Sequence, residues 1–193
     1  MRFVLKLLSL VAIALVVGFG LSYYALGDGR LLGAIRVGPW AAWPAVGSAS
    51  PDPYTRAYIA RTGALELGQS EGITFTATSD SDGRPLDRKC RYRIEGTTPV
   101  ASFWTLAAVV AANGSSVARP GGMQELQSRQ VARAPDGSLV LYVSRSLAPE
   151  NWLEITGDGP FELVLTLYDP SNLSGTASSI DSLPAILKEA CAT

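Results

Sequence analysis

Apolar residues run unbroken at the start of this chain and alternate with polar ones further along. From Leu7 to Gly27 there is no charged residue, and the only ionisable groups are the phenols of Tyr23 and Tyr24. These 21 residues match the about 20 that a helix needs to cross the hydrocarbon layer. Inside lipid the backbone must satisfy its own polar groups, so the stretch is expected to be a helix. Arg2 and Lys6 precede it, which predicts a cytoplasmic N-terminus with the tyrosine pair at the far interface. The alternative is a cleaved signal peptide of the same orientation, with an apolar core from Leu7 to Phe19 and a cut after Ala25-Leu26-Gly27. The run is longer than the roughly 7–15 apolar residues usual for a signal core, which favours a retained anchor. Either reading exports residues 28–193.

Beyond the anchor, residues 28–51 read as a juxtamembrane linker in which Trp40 and Trp43 either rest at the lipid headgroups or pack on the domain. Asp52-Pro53 then marks a helix start, with Asp52 as N-cap and Pro53 at the first helical position, and Gly63 can end it. From residue 73 the period becomes two. Ile73, Phe75 and Ala77 alternate with threonines, and Cys90, Tyr92 and Ile94 alternate with Arg91, Arg93 and Glu95, as half-buried strands do. Val100 to Ala112 is too short to cross a membrane as a helix and reads as a central strand. Gln130–Arg133 and Leu139–Arg145 are expected to form a hairpin about Pro135–Ser138. Phe161, Leu163, Leu165 and Leu167 define one face of a last clear strand. Ser182 and Pro184 are read as opening a short helix whose Leu183, Ile186, Leu187 and Ala190 cover the sandwich end. Many short strands joined by Gly/Pro turns predict a mainly β fold, a jelly-roll-like β-sandwich over 52–193 with short flanking helices, behind one transmembrane helix over 1–27.

Composition narrows the chemistry. The chain contains no histidine, which excludes Ser-His-Asp and Cys-His catalysis, histidine-ligated zinc and a histidine pH switch. Outside the anchor stand 14 basic and 17 acidic residues without a basic block, so nucleic-acid binding has no electrostatic footprint. No cofactor is implied. Asp80-Ser81-Asp82-Gly83 resembles half of a calcium loop, but Arg84, Pro85 and Leu86 follow, and a tight turn is the better reading. Cys90 and Cys191 are the only cysteines. In an oxidising compartment such a pair favours a disulfide, and closing a loop of that size is worth roughly 4–5 kcal/mol in the chain-entropy picture.

Several segments occur in an order that resembles a known family. They are Phe103-Trp104-Thr105-Leu106, Asp136-Gly137-Ser138-Leu139, Tyr142-Val143-Ser144, Asn151-Trp152-Leu153 and Gly159-Pro160-Phe161-Glu162-Leu163 through Leu167-Tyr168. Together they resemble the bacterial family catalogued as domain of unknown function 1214. Gly38-Pro39-Trp40 and Asp52-Pro53-Tyr54-Thr55-Arg56-Ala57 resemble its membrane-anchored, stand-alone branch. The resemblance spans roughly residues 36–170 and implies a jelly-roll-like sandwich. It also implies a companion protein of the domain of unknown function 1254 family. It brings no catalytic residues. The chain departs from the family where Ala107–Ala112 replaces a more polar strand end.

The expected role is therefore a non-catalytic binding or envelope-assembly module. It would be tethered to the inner membrane by a single pass, with its C-terminal domain in the periplasm. A partner protein or a glycan is the expected ligand. Trp152 is the candidate surface aromatic, and Arg56, beside Tyr54 and Tyr58, is the candidate contact for an anionic group, with a surface salt bridge as the commoner fate. The alternative is a glycosidase-like hydrolase of envelope glycans using two carboxylates, drawn from Glu95, Glu154, Asp158, Glu162 and Asp169.

Overall fold

The computed structural model describes residues 2–27, 34–63, 67–68, 70–170 and 183–191. Helix α1 covers Arg2–Gly27, and its Arg2–Tyr23 portion has a mean hydropathy of 2.5 with none of its span buried. It is long and apolar enough to cross a membrane. Helix α2, Pro53–Thr62, has the expected limits. The Asp52 carboxylate accepts from the N–H groups of Tyr54 (2.9 Å) and Thr55 (3.2 Å), Pro53 has no N–H and so needs no acceptor, and Gly63 closes the last turn at φ 64°. The Thr55 hydroxyl and N–H hold the Asp52 carboxyl below its ordinary range, because they stabilise the charged form.

Ten strands form two sheets. The six-stranded sheet contains β1 (Ile35–Val37), β2 (Trp40–Ala42), β3 (Gly72–Ala77), β5 (Ala101–Val109), β6 (Glu125–Gln127) and β9 (Glu162–Pro170), in the order β1-β2-β3-β9-β5-β6. The four-stranded sheet contains β4 (Cys90–Gly96), β7 (Leu139–Ser144), β8 (Asn151–Glu154) and β10 (Ala185–Cys191), in the order β10-β4-β7-β8. Alternation sends Ile73 and Phe75, Trp104 and Leu106, and Leu163, Leu165 and Leu167 from the first sheet into one core. They meet Tyr92, Ile94, Leu141, Val143, Leu153 and Ile186 from the second. Trp104 is part of this core. So is Tyr92, whose hydroxyl donates to the Asp87 carbonyl and accepts from the Asp87 N–H. Burial pushes its phenol above the ordinary value near 10.0.

Three expected elements differ. Part of the segment read as a linker is sheet: β1 and β2 pair about Gly38, at φ 59°, and β2 pairs with β3. Trp40 is 1% exposed and donates its indole N–H to the Pro184 carbonyl at 2.8 Å, so it packs in the domain. The C-terminal helix is instead strand β10. Its apolar spacing fits a helix, but β4 offers an open edge, and β10 pairs along it from Ala185↔Glu95 to Cys191↔Cys90. Ser182, read as opening that helix, lies outside the described residues. The hairpin about Pro135–Ser138 has its turn, with Ala134 and Ser138 bonded, but only its second arm is a strand. Ala132 in the first arm bonds the Asn151 side chain rather than a neighbouring backbone.

The Asp80–Gly83 segment is a tight turn. Asp80 is 2% exposed, and its Oδ1 accepts from the N–H groups of Asp82 (3.0 Å) and Arg84 (2.8 Å). The chain between β7 and β8 is unusual because these strands are parallel neighbours joined by only residues 145–150. Parallel pairs ordinarily need a crossover of a dozen or more residues. Here the chain doubles back sharply, burying Ala148 and placing Glu150 at φ 63°, a conformation that costs a non-glycine residue.

Candidate functional site

The outer face of the four-stranded sheet carries the side chains that alternate with its core. On β4 these are Arg91, Arg93 and Glu95, on β7 Val140, Tyr142 and Ser144, and on β8 Trp152 and Glu154. Register aligns them: Leu187 stands opposite Arg93, Arg93 opposite Tyr142, and Tyr142 opposite Trp152. One row thus crosses all four strands, with neighbours about 4.8 Å apart along the hydrogen-bonding direction. The next row sets Ser144 opposite Glu154.

Several contacts fix this face. The Trp152 indole N–H donates to the Ser144 carbonyl and hydroxyl oxygens, both at 3.1 Å, which restrains the ring. The Arg91 guanidinium lies 4.6 Å from the Tyr142 ring centre, a favourable cation–π placement. Glu189 pairs with Arg91 at 2.9 Å and Arg93 at 3.3 Å, while Arg93 also pairs with Glu95. The Arg91 Nε–H is buried and makes no hydrogen bond despite its short distance to Glu189. That contact neutralises charge without satisfying the donor.

Glu154 closes the β8 side of the face. It is 4% exposed, one oxygen meets Arg119 Nε at 3.1 Å, and no protein donor reaches the other. A methyl group at Gly122 would lie 2.0 Å from that second oxygen. Glycine there lets the chain pass over the carboxylate, so Glu154 is the post on which residues 119–122 are pinned.

The sequence-derived candidates are dispersed. Trp152 lies on strand β8, not in a loop, and is half-buried. Arg56 lies on α2, exposed, and donates from Nε to the Pro51 carbonyl at 2.9 Å; the structure does not bring it onto the sheet with Trp152. Cys90 and Cys191 are bonded to each other across β4 and β10. Of the five carboxylates, Glu95 pairs with Arg93 on β4, Glu154 with Arg119, and Asp158 with Arg145. Glu162 and Asp169 stand near opposite ends of β9, about 23 Å apart at strand rise. Among the described residues no three His, Cys, Asp or Glu side chains gather to hold a metal ion. Tyr142, Arg91, Arg93 and Leu187 went unselected as functional residues because their alternation shows which face they share but not which strand they sit beside.

No curated protein matches the chain. Among solved structures, the VPA0106 protein from Vibrio parahaemolyticus matches with a TM-score of 0.55 at 20% identity, over 69% of this chain and 34% of that one. An uncharacterized protein from Burkholderia cenocepacia matches with a TM-score of 0.43 at 16% identity, over 76% and 45% respectively. The chain therefore spans about a third of the first protein and under half of the second. The VPA0106 likeness shows the fold. Residues 71–172, which run from β3 through β9, match the family described as "Protein of unknown function (DUF1214)", and the chain belongs to that family.

Proposed function

We propose that the protein is a membrane-tethered, non-catalytic module of the stand-alone branch of its family, held at the periplasmic side of the inner membrane, and that it binds a partner protein. The binding surface in this reading is the outer face of the four-stranded sheet. The observation that carries it is the row Leu187–Arg93–Tyr142–Trp152. Aromatic and arginine side chains dominate protein–protein hot spots, and here the tryptophan is already restrained by Ser144, so less side-chain entropy is lost on association.

A protein of the domain of unknown function 1254 family, the companion that the family resemblance implies, is the proposed partner. The hydrolase alternative has weaker support. Glu95 stands opposite Val140 and Glu154 opposite Ser144, which separates their backbones by about 16 Å at strand rise and spacing. Glycosidase carboxyl pairs lie about 5–9.5 Å apart.

The test is site-specific photocrosslinking in cells. A photoreactive residue at Tyr142 or Trp152 is expected to capture one discrete protein, while the same residue at Thr166, on the outer face of the six-stranded sheet, captures none. Equal capture from both faces, or none from either, would sink the proposal.

A further inference from the structure

The geometry points to a binding site for a small phosphate-bearing anion at one end of the four-stranded sheet, beside the proposed partner face, with which it shares Arg91 and Ser144. Strand β4 runs antiparallel to both β7 and β10. The start of β4 therefore meets the ends of the other two. Between them lies a cleft of about 230 Å³ lined by Lys89, Arg91, Arg145, Ser144, Ser146 and the Cys90–Cys191 bridge. Three cationic residues line it and, among the described residues, no acidic one does, in a chain whose net charge is −1.

The cations differ in how far they are already committed. Arg145 is held in place by the Arg88 carbonyl at 3.1 Å, by the Gly157 carbonyl and by Asp158. Arg91 is neutralised by Glu189, but its buried Nε–H makes no hydrogen bond. Lys89 is exposed and uses only its backbone N–H, bonded to Asp87 at 2.8 Å; among the described residues its ammonium meets no carboxylate. Among the described residues two acids thus offset three cations, and Lys89 carries the charge left unpaired. Arginine and lysine together are the usual phosphate-binding set, the first orienting and the second supplying a point charge. The cleft is smaller than the roughly 300–1,000 Å³ of pockets for drug-sized ligands, so the fitting group is a phosphate rather than a whole metabolite. That phosphate belongs either to a free anion or to a lipid headgroup.

Titration calorimetry on the full chain in a neutral detergent separates these sources. One arm adds inorganic phosphate against sodium chloride at matched ionic strength, and the other adds dioctanoyl phosphatidylglycerol against dioctanoyl phosphatidylcholine. Saturable binding of phosphate, of the anionic lipid or of both is expected, weakened at least fivefold in Lys89→Gln. Lys89 is exposed and its side chain makes no hydrogen bond or ion pair among the described residues, and the circular dichroism of the variant should match the parent. Binding of the anionic lipid alone would assign the headgroup, and binding of phosphate alone a soluble anion. Heats no larger than the two controls, or a Lys89→Gln variant that binds as tightly as the parent, would overturn the site.

Discussion

The Asn151 side chain is buried and makes three hydrogen bonds. It accepts from the Ala132 N–H at 2.8 Å and donates to the Ala132 carbonyl at 2.9 Å and the Val140 carbonyl at 2.8 Å. A carboxamide matches the backbone's own donor and acceptor, so one side chain takes the place of a strand that the 130–133 segment never forms. Replacing it with alanine removes all three bonds, each worth about 1 kcal/mol net. Asn151→Ala is expected to lower unfolding free energy by about 3 kcal/mol, read from the urea midpoint at constant m-value. Asn151→Asp keeps the acceptor and loses both donors, so it should be no better. An alanine variant within about 0.5 kcal/mol of the parent, the usual range of a neutral surface change, would show that the amide is dispensable. None of this is legible from Asn151-Trp152-Leu153 as letters. The motif helps identify the family, but the three bonds join residues 11 and 19 positions away.

At the scale of elements, legibility tracks how local the deciding contact is. Helix α2 was readable end to end, because Asp52, Pro53 and Gly63 set its limits within the segment itself. The alternations at 73–77, 90–95 and 161–168 gave strands with the right faces, since burial repeats every second residue. Strand β10 was misread as a helix because Leu183, Ile186, Leu187 and Ala190 satisfy a helical spacing, and the edge of β4 that overrides it begins 101 residues upstream, counted from Cys191 to Cys90. The candidate row on the sheet face has the same origin: its residues were visible, their register was not. The disulfide then matters more than an ordinary cross-link, for it fastens an edge strand that lies outside the matched family segment. The chain-entropy picture gives it about 4.7 kcal/mol for a loop of about 100 residues. Cys191→Ser should therefore lower stability by several kcal/mol, and it should strip hydrogen-exchange protection from β10 before the rest of its sheet. Uniform loss of protection across both sheets would show instead that β10 belongs to the global folding unit.

For the whole molecule, the question is how closely the sandwich is held to the bilayer that α1 is proposed to cross. The 26 residues of α1 extend about 39 Å at 1.5 Å each, enough for a hydrocarbon core of about 30 Å. Phe3, Leu10, Phe19 and Leu21 are all more than 60% exposed in the isolated chain, and leaving such side chains in water costs about 1.5–3 kcal/mol apiece. Lipid removes that cost without any protein contact. Residues 28–51 read as a linker would allow the domain to stand about 80 Å away when fully extended. Because β1 begins at Ile35, the seven residues 28–34 between it and α1 can span at most about 24 Å. Under the proposed anchoring, the domain would therefore meet partners and lipid headgroups at the membrane surface. Full-length protein is therefore expected in the membrane fraction after a carbonate wash, with an intact mass that includes Arg2–Gly27. A C-terminal alkaline phosphatase fusion should be active and a C-terminal green fluorescent fusion exported by the same route dark. A mature mass starting at Asp28, with the protein in the soluble periplasmic fraction, would remove the anchor and the placement at the membrane surface together while leaving the compartment unchanged.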